Sequence, residues 1–186
     1  MKKITIITGK IGSGKTQIAI EKTIECMKQN KTVVHLTFED RKENIQKWFV
    51  AKYVNKYPEE LTKEDFETFK ENSLSSNLFH LHKGIEGIKN YELFRLIDLI
   101  DSCDVIVVDF LQCMGHSKET YRSIIDFAVK YNKEVYIVIS QNNDEFTIDD
   151  AENFDEIIDA ETYYSKKQRM SKSVAVSDLL RIINTD

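Results

Sequence analysis

The sequence predicts an α/β fold with a mostly parallel central sheet, helices on both faces and a late antiparallel extension. Three observations carry that expectation. First, apolar β-branched runs at 4–8, 32–38, 104–110 and 134–140 recur with amphipathic helical stretches between them, the alternation that joins parallel strands through helical crossovers. Second, the first run leads directly into Gly9-Lys10-Ile11-Gly12-Ser13-Gly14-Lys15-Thr16, a full match to the phosphate-binding pattern G-x-x-x-x-G-K-[ST]. Third, that loop, Glu39, Asp109 and Gln141 all fall at the carboxyl ends of expected strands, where ligands of such sheets bind.

The elements follow in chain order. Ile20, Ile24 and Met27 give the segment after the loop a helical apolar stripe, and Asn30-Lys31 makes a turn before the strand TVVHLTF (32–38). A helix is expected over 41–56 through Ile45, Trp48, Phe49 and Tyr53, ended by Pro58, the single proline. Thr62 and Asp65 read as a capping pair, with Leu61 and Phe66 as its staple, for a short helix reaching about Asn72. NLFHLH (77–82) is an expected strand, and Leu93, Leu96, Ile97 and Ile100 recur at helical spacing. DVIVVDF (104–110) is the third central strand. Tyr121, Ile124, Ile125 and Ala128 mark the next helix, and EVYIVIS (134–140) the strand after it. In the tail, IIDAETYY (157–164) and SVAVSDLLRII (173–183) read as two late strands flanking a basic cluster.

Composition bounds the function. A chain of 186 residues, 41% hydrophobic and 31% charged, forms one domain over 1–186 with a sizeable core. Its formal net charge of −5 predicts no broad basic face, so any nucleic-acid contact is local. No apolar segment is long enough to cross a bilayer, which argues against a membrane role. The opening MKKITIITG runs straight into the phosphate loop and reads as structure, not as a signal peptide. Cys26, Cys103 and Cys113 lack metal-ligand spacing; reduced, mostly buried thiols in a cytoplasm are expected. Residues 142–161 hold nine acids and no base.

The candidate chemistry follows from residue types. Gly9, Gly12 and Gly14 let the backbone curl so that successive N–H groups face one anion, to which the following helix adds its positive end. Lys10, Ile11 and Ser13 complete the cradle. Lys15 is placed to reach the β- and γ-phosphates of a nucleotide, and the Thr16 hydroxyl to bind Mg²⁺. Asp109, closing an apolar strand, would hold the Mg²⁺ water shell from the opposite side. Glu39 is a candidate base for the attacking water, with Asp40 its rival, and Gln141 a candidate γ-phosphate sensor.

VVHLTFED, DVIVVDFLQCM, YIVISQNN and KKQR, in this order after the phosphate loop, resemble the motor domain of DnaB-type replicative helicases, within the RecA-like P-loop ATPases. The residues that carry the resemblance are Glu39, Asp109-Phe110-Leu111-Gln112, Ser140-Gln141 and Lys167-Gln168-Arg169. The resemblance implies a RecA-like fold and hydrolysis of ATP with Mg²⁺. It makes Glu39 the catalytic base and Gln141 the phosphate sensor, with Lys167 and Arg169 acting in trans on a neighbouring subunit's ATP in a homo-oligomer or ring. The chain departs from the family by starting at the first core strand, without the N-terminal domain and linker helix that assemble such rings. Its loops after Met114 and Gln141 are short, and the second is acidic. Single-stranded DNA is therefore expected to bind weakly, through Lys166, Lys167, Arg169 and Lys172. The leading expectation is an ATPase serving DNA replication or recombination. The alternatives are a nucleotide-binding regulatory or assembly switch without helicase activity, and a small-molecule kinase.

Overall fold

The computed structural model describes residues 3–37, 42–74, 79–83, 103–109, 117–141, 149 and 151–167. Six strands are β1 (Lys3–Gly9), β2 (Val33–Thr37), β3 (Phe79–Lys83), β4 (Val105–Asp109), β5 (Glu134–Ser140) and β6 (Glu156–Asp159). The helices are α1 (Lys15–Lys28), α2 (Lys42–Val54), α3 (Lys63–Leu74) and α4 (Ser117–Tyr131), with α5 over 160–167 and a 3-10 turn at Pro58–Glu60. The strands form one sheet in the order β3-β2-β4-β5-β1-β6, and every pairing is parallel.

Both faces of the sheet are covered. Successive strand residues enter opposite cores: Ile6, Val34, Val108 and Ile137 pack with Tyr121, Ile124 and Ala128 of α4. Ile7, Val33, Val107 and Val138 pack instead with Ile18, Ile24 and Met27 of α1 and with Ile45 and Phe49 of α2. This double-sided burial explains why the strands read as unbroken apolar runs. Strand β5 fills its expected range, and α/β architecture with a parallel sheet and helices on both faces is what the sequence predicted.

The late extension is different. Strand β6 lies parallel to β1, with Thr5 level with Glu156 and Thr8 with Asp159, so the expected antiparallel extension is corrected there. Asp155 anchors the start of this pairing: its carboxylate accepts the Ile4 N–H at 2.7 Å while its own N–H donates to the Ile4 carbonyl at 2.8 Å. The expected strand over 157–164 stops at Asp159, and helix α5 begins. Asp159 caps it by accepting the Thr162 N–H at 2.9 Å. Ala160, Tyr163 and Tyr164, at helical spacing, join the α1-side core. The second late strand, 173–183, and the helix expected around Leu93–Ile100 lie outside the described residues.

Asparagine terminates three helices. Asn30, Asn55 and Asn132 take φ of 59°, 57° and 55°, the left-handed conformation a helix uses just past its end. The residue after each closes the motif, with Lys31 N–H donating to Cys26 O at 3.1 Å, Lys56 to Ala51 at 2.9 Å and Lys133 to Ala128 at 3.0 Å. Helix α2 therefore ends at Val54 on Asn55, before Pro58 is reached, and the proline instead opens the 3-10 turn. The Thr62–Asp65 pair caps α3 as expected. Asp65 accepts the Thr62 N–H at 2.8 Å, and Thr62 Oγ1 accepts the Asp65 N–H at 3.4 Å. Among the described residues no helix is long and apolar enough to cross a membrane. Cys26 and Cys103 are buried free thiols, and burial pushes both up to about 11; Cys113 lies outside the described residues.

Candidate functional site

The loop between β1 and α1 takes a conformation that its glycines make accessible. Gly12 and Gly14 have φ of 77° and 86°, the left-handed region that side chains disfavour. The Ser13 N–H donates to the Lys10 carbonyl at 3.1 Å and closes the curl. Lys15 is buried, and its ammonium donates to the carbonyls of Gly9 at 3.1 Å and Lys10 at 2.7 Å, so it spans the inside of the loop. Ile11 stands at the tip, exposed.

Helix α1 starts at Gly14 without a side-chain cap and without an acidic residue in its first turn. The positive end of a helix with such a start favours an anion. A curled backbone, a buried lysine and an uncapped helix start fit a polyphosphate, and Thr16 and Asp109 fit the hard cation that accompanies one. Thr16 Oγ1 donates to Asp109 Oδ1 at 3.2 Å, joining the first turn of α1 to the end of β4. Asp109 is fully buried. Among the described residues no cluster of three or more His, Cys, Asp or Glu forms a metal site, so a cation here would complete its shell with phosphate oxygens and water.

The carboxyl ends of β2, β4, β5 and β1 lie side by side in the sheet. Thr37 is level with Asp109, and Ser140 is level with Gly9. Gln141 follows β5 with its N–H on the Gly9 carbonyl at 3.1 Å and its side chain exposed. Asp159 sits nearby at the end of β6. The Thr162 N–H and hydroxyl, then the Gln141 side chain and Lys10, hold its carboxyl below the ordinary value. Glu39, its rival Asp40, the 110–112 run and Arg169 with Gln168 lie outside the described residues. Lys167 is described, and its ammonium bonds to Glu21 of α1 in the same chain while lying 5.7 Å from the Tyr163 ring centroid. Burial opposes ionisation of Glu21, but Lys167, with Lys52 and Lys22, outweighs it and lowers that carboxyl.

Helix α5 supplies what reading the sequence missed. The Tyr164 hydroxyl donates to the Gly14 carbonyl at 3.2 Å, and a Cβ on Gly14 would come 2.8 Å from Tyr164 Cε2. Ala160 lies against Gly9, where an added Cβ would meet it at 3.1 Å. Glu161 pairs with Lys10 at 3.6 Å, although both are well exposed, so this pair adds little stability. Beside the loop, Gln17, Trp48, Lys52, Asn55, Tyr57 and Tyr164 line a cleft of about 590 Å³. The sequence signal for this wall was the Tyr163-Tyr164 pair, which β propensity assigned to a strand. Neither a family model nor a curated protein matches the chain.

Proposed function

We propose that the chain is a Mg²⁺-dependent ATPase of the RecA-like class, a DnaB-like motor acting in DNA replication or recombination. The observation that carries this reading is the Thr16–Asp109 contact at 3.2 Å. It brings the hydroxyl of the phosphate-loop pattern and the acid of β4 to one point beside a buried lysine. In this reading the loop and Lys15 bind the phosphates, and Thr16 and Asp109 hold Mg²⁺. The bound cation supplies charge compensation on the phosphate oxygens. Glu39 takes the proton of the attacking water, Gln141 contacts the γ-phosphate, and Arg169 reaches a neighbouring subunit's site. The cleft beside the loop holds the base, with Trp48 and Tyr164 as aromatic walls.

Single-stranded DNA is a weak partner in this account. The net charge of −5 opposes it, and Glu21 neutralises Lys167, one of the few cations of the local cluster. That same pairing favours a second reading, a nucleotide-dependent switch in which α5 reports on the loop within one chain.

Glu39→Gln tests the leading reading. ATP binding should persist while phosphate release falls by about 100-fold, the scale of a lost general base. Unchanged turnover in Glu39→Gln, with loss in Asp40→Asn, moves the base to Asp40. Absence of turnover in the parent protein, with binding intact, favours the switch. Turnover per subunit that rises with protein concentration, and no longer does so in Arg169→Ala, supports the role in trans.

A further inference from the structure

We propose that Asp159 is a positioning residue for Gln141: its carboxylate turns the Gln141 amide so that the amide nitrogen serves the γ-phosphate. The inference rests on the reading above, in which Gln141 contacts that phosphate, and concerns a residue that reading does not use.

The sheet brings the two residues together. Strand β1 lies between β5 and β6, so Gln141, just after β5, and Asp159, the last residue of β6, flank the start of the loop. Two strand spacings, about 9.6 Å, separate β5 from β6. Both side chains leave the sheet on the α4 face. Gln141 follows Ile137 and Ile139 in alternation, and both belong to the α4-side core. Asp159 is level with Thr8, which alternates with Ile4 and Ile6 of that same core, and level residues of parallel strands share a face. A glutamine and an aspartate reaching toward one another cross the gap over β1, and the Gln141 side chain hydrogen-bonds the Asp159 carboxylate.

The carboxylate is itself held. Its Oδ1 accepts the Thr162 N–H at 2.9 Å at the start of α5, and the Thr162 hydroxyl and the Lys10 charge act on it as well. Glu161, the neighbouring acid, pairs instead with Lys10 at 3.6 Å. The Gln141 backbone is fixed too, through its N–H on the Gly9 carbonyl at 3.1 Å. What remains to be set is the direction of its amide, on a side chain exposed to solvent.

Hydrogen-bond chemistry sets that direction. An ionised carboxylate only accepts, so the amide must meet it with Nε2, which turns the amide oxygen away. Nε2 keeps a second N–H, the kind of donor that a γ-phosphate oxygen accepts from. A flipped amide would offer Oε1 there, and Oε1, like the phosphate oxygen, only accepts. Asp159→Asn reverses the preference. Its Oδ1 can keep the Thr162 N–H, while its new amide nitrogen donates and so draws the Gln141 oxygen.

The test is the dissociation constant of ADP and of the non-hydrolysable β,γ-imido analogue of ATP, both with Mg²⁺. Titration calorimetry measures them for the parent chain, Asp159→Asn, Gln141→Leu and the double variant. Asparagine caps a helix as well as aspartate does, and thermal unfolding of each variant checks the fold. The preference for the analogue over ADP should fall by about 10-fold in Asp159→Asn, about as far as in Gln141→Leu. It should fall no further in the double variant, since Asp159 acts through Gln141. Removing a negative charge would by itself work the other way and favour the ligand with more phosphate charge, so the sign separates orientation from charge. A preference unchanged or raised in Asp159→Asn, but lowered in Gln141→Leu, overturns the proposal and leaves the nucleotide site standing. So do losses that add in the double variant. An unchanged preference in Gln141→Leu overturns the proposal together with the sensor role of Gln141. A parent chain that binds neither ligand overturns the nucleotide-site reading as well.

Discussion

The Tyr164 hydroxyl and the Ile18 N–H share one acceptor, the Gly14 carbonyl oxygen, at 3.2 and 3.1 Å. That oxygen ends the loop between β1 and α1, so a residue 150 positions later in the chain helps fix the start of α1. Burial pushes the Tyr164 phenol up to about 12, and it stays a donor throughout the neutral range. Tyr164→Phe keeps the ring against Gly14 and removes only the proton. It should cost about 1 kcal/mol, or about 2–4 °C in Tm for a chain of this size. Gly14→Ala should cost more, because it adds a left-handed alanine to the 2.8 Å approach of Tyr164 Cε2. Differential scanning fluorimetry of the two variants checks the order; an unshifted Tyr164→Phe would leave the hydroxyl without a structural role.

Trp48, the single tryptophan of the chain, lines the cleft beside the loop and makes the base position observable. ATP should quench its emission, whereas inorganic tripolyphosphate, which occupies the loop but carries no base, should bind without quenching. Tyr164→Ala should weaken ATP more than tripolyphosphate. Equal quenching by both ligands, or by neither while ATP binds, would place the base elsewhere.

His35 predicts an acid limit to stability. It lies in the middle of β2, fully buried, with its ring edge-on to Phe49 at 5.0 Å. Thr23 gives its proton to the Ala19 carbonyl at 2.9 Å, so His35 Nδ1–H is the donor across the 2.9 Å contact with Thr23 Oγ1. Nε2 has no partner among the described residues. Burial lowers the imidazole to about 3, against an ordinary 6.5. Between those values the unfolded chain takes up a proton that the folded chain does not. Stability is therefore complete above the unfolded value and falls as pH drops below it, by up to about 1.4 kcal/mol per pH unit. Urea unfolding between pH 5 and 7 should show a slope that is shallower by about one proton in His35→Val. Parallel slopes would mean that the ring is protonated in the folded state.

Much of this was legible in the sequence for a local reason. Strand β5 and the loop before α1 are each set by contiguous residues, an apolar run in one case and a spaced set of glycines in the other. Asp109 was legible because it breaks such a run at its end. The late segment was not, because 157–164 mixes β-branched and aromatic residues that favour a strand. Its outcome is decided by the Asp159 cap and by where Ala160, Tyr163 and Tyr164 find a core. The place of β6 beside β1 is anchored by Asp155 meeting Ile4, a contact across 151 positions that no local pattern encodes. Asn55 likewise ends α2 before the more conspicuous Pro58, since a left-handed asparagine closes a helix as well as a proline does.

In the proposed function the buried ammonium of Lys15 and the loop around it form a nucleotide site. Titration calorimetry of the full chain with ATP and Mg²⁺ tests it most directly, alongside Lys15→Ala. In the folded state Lys15 also ties the Gly9 and Lys10 carbonyls together, so thermal unfolding must first show that the variant is folded. One ATP should bind per chain, with binding abolished or severely weakened in a folded Lys15→Ala. A parent chain that takes up no ATP, or a Lys15→Ala chain with near-parent affinity, would contradict it.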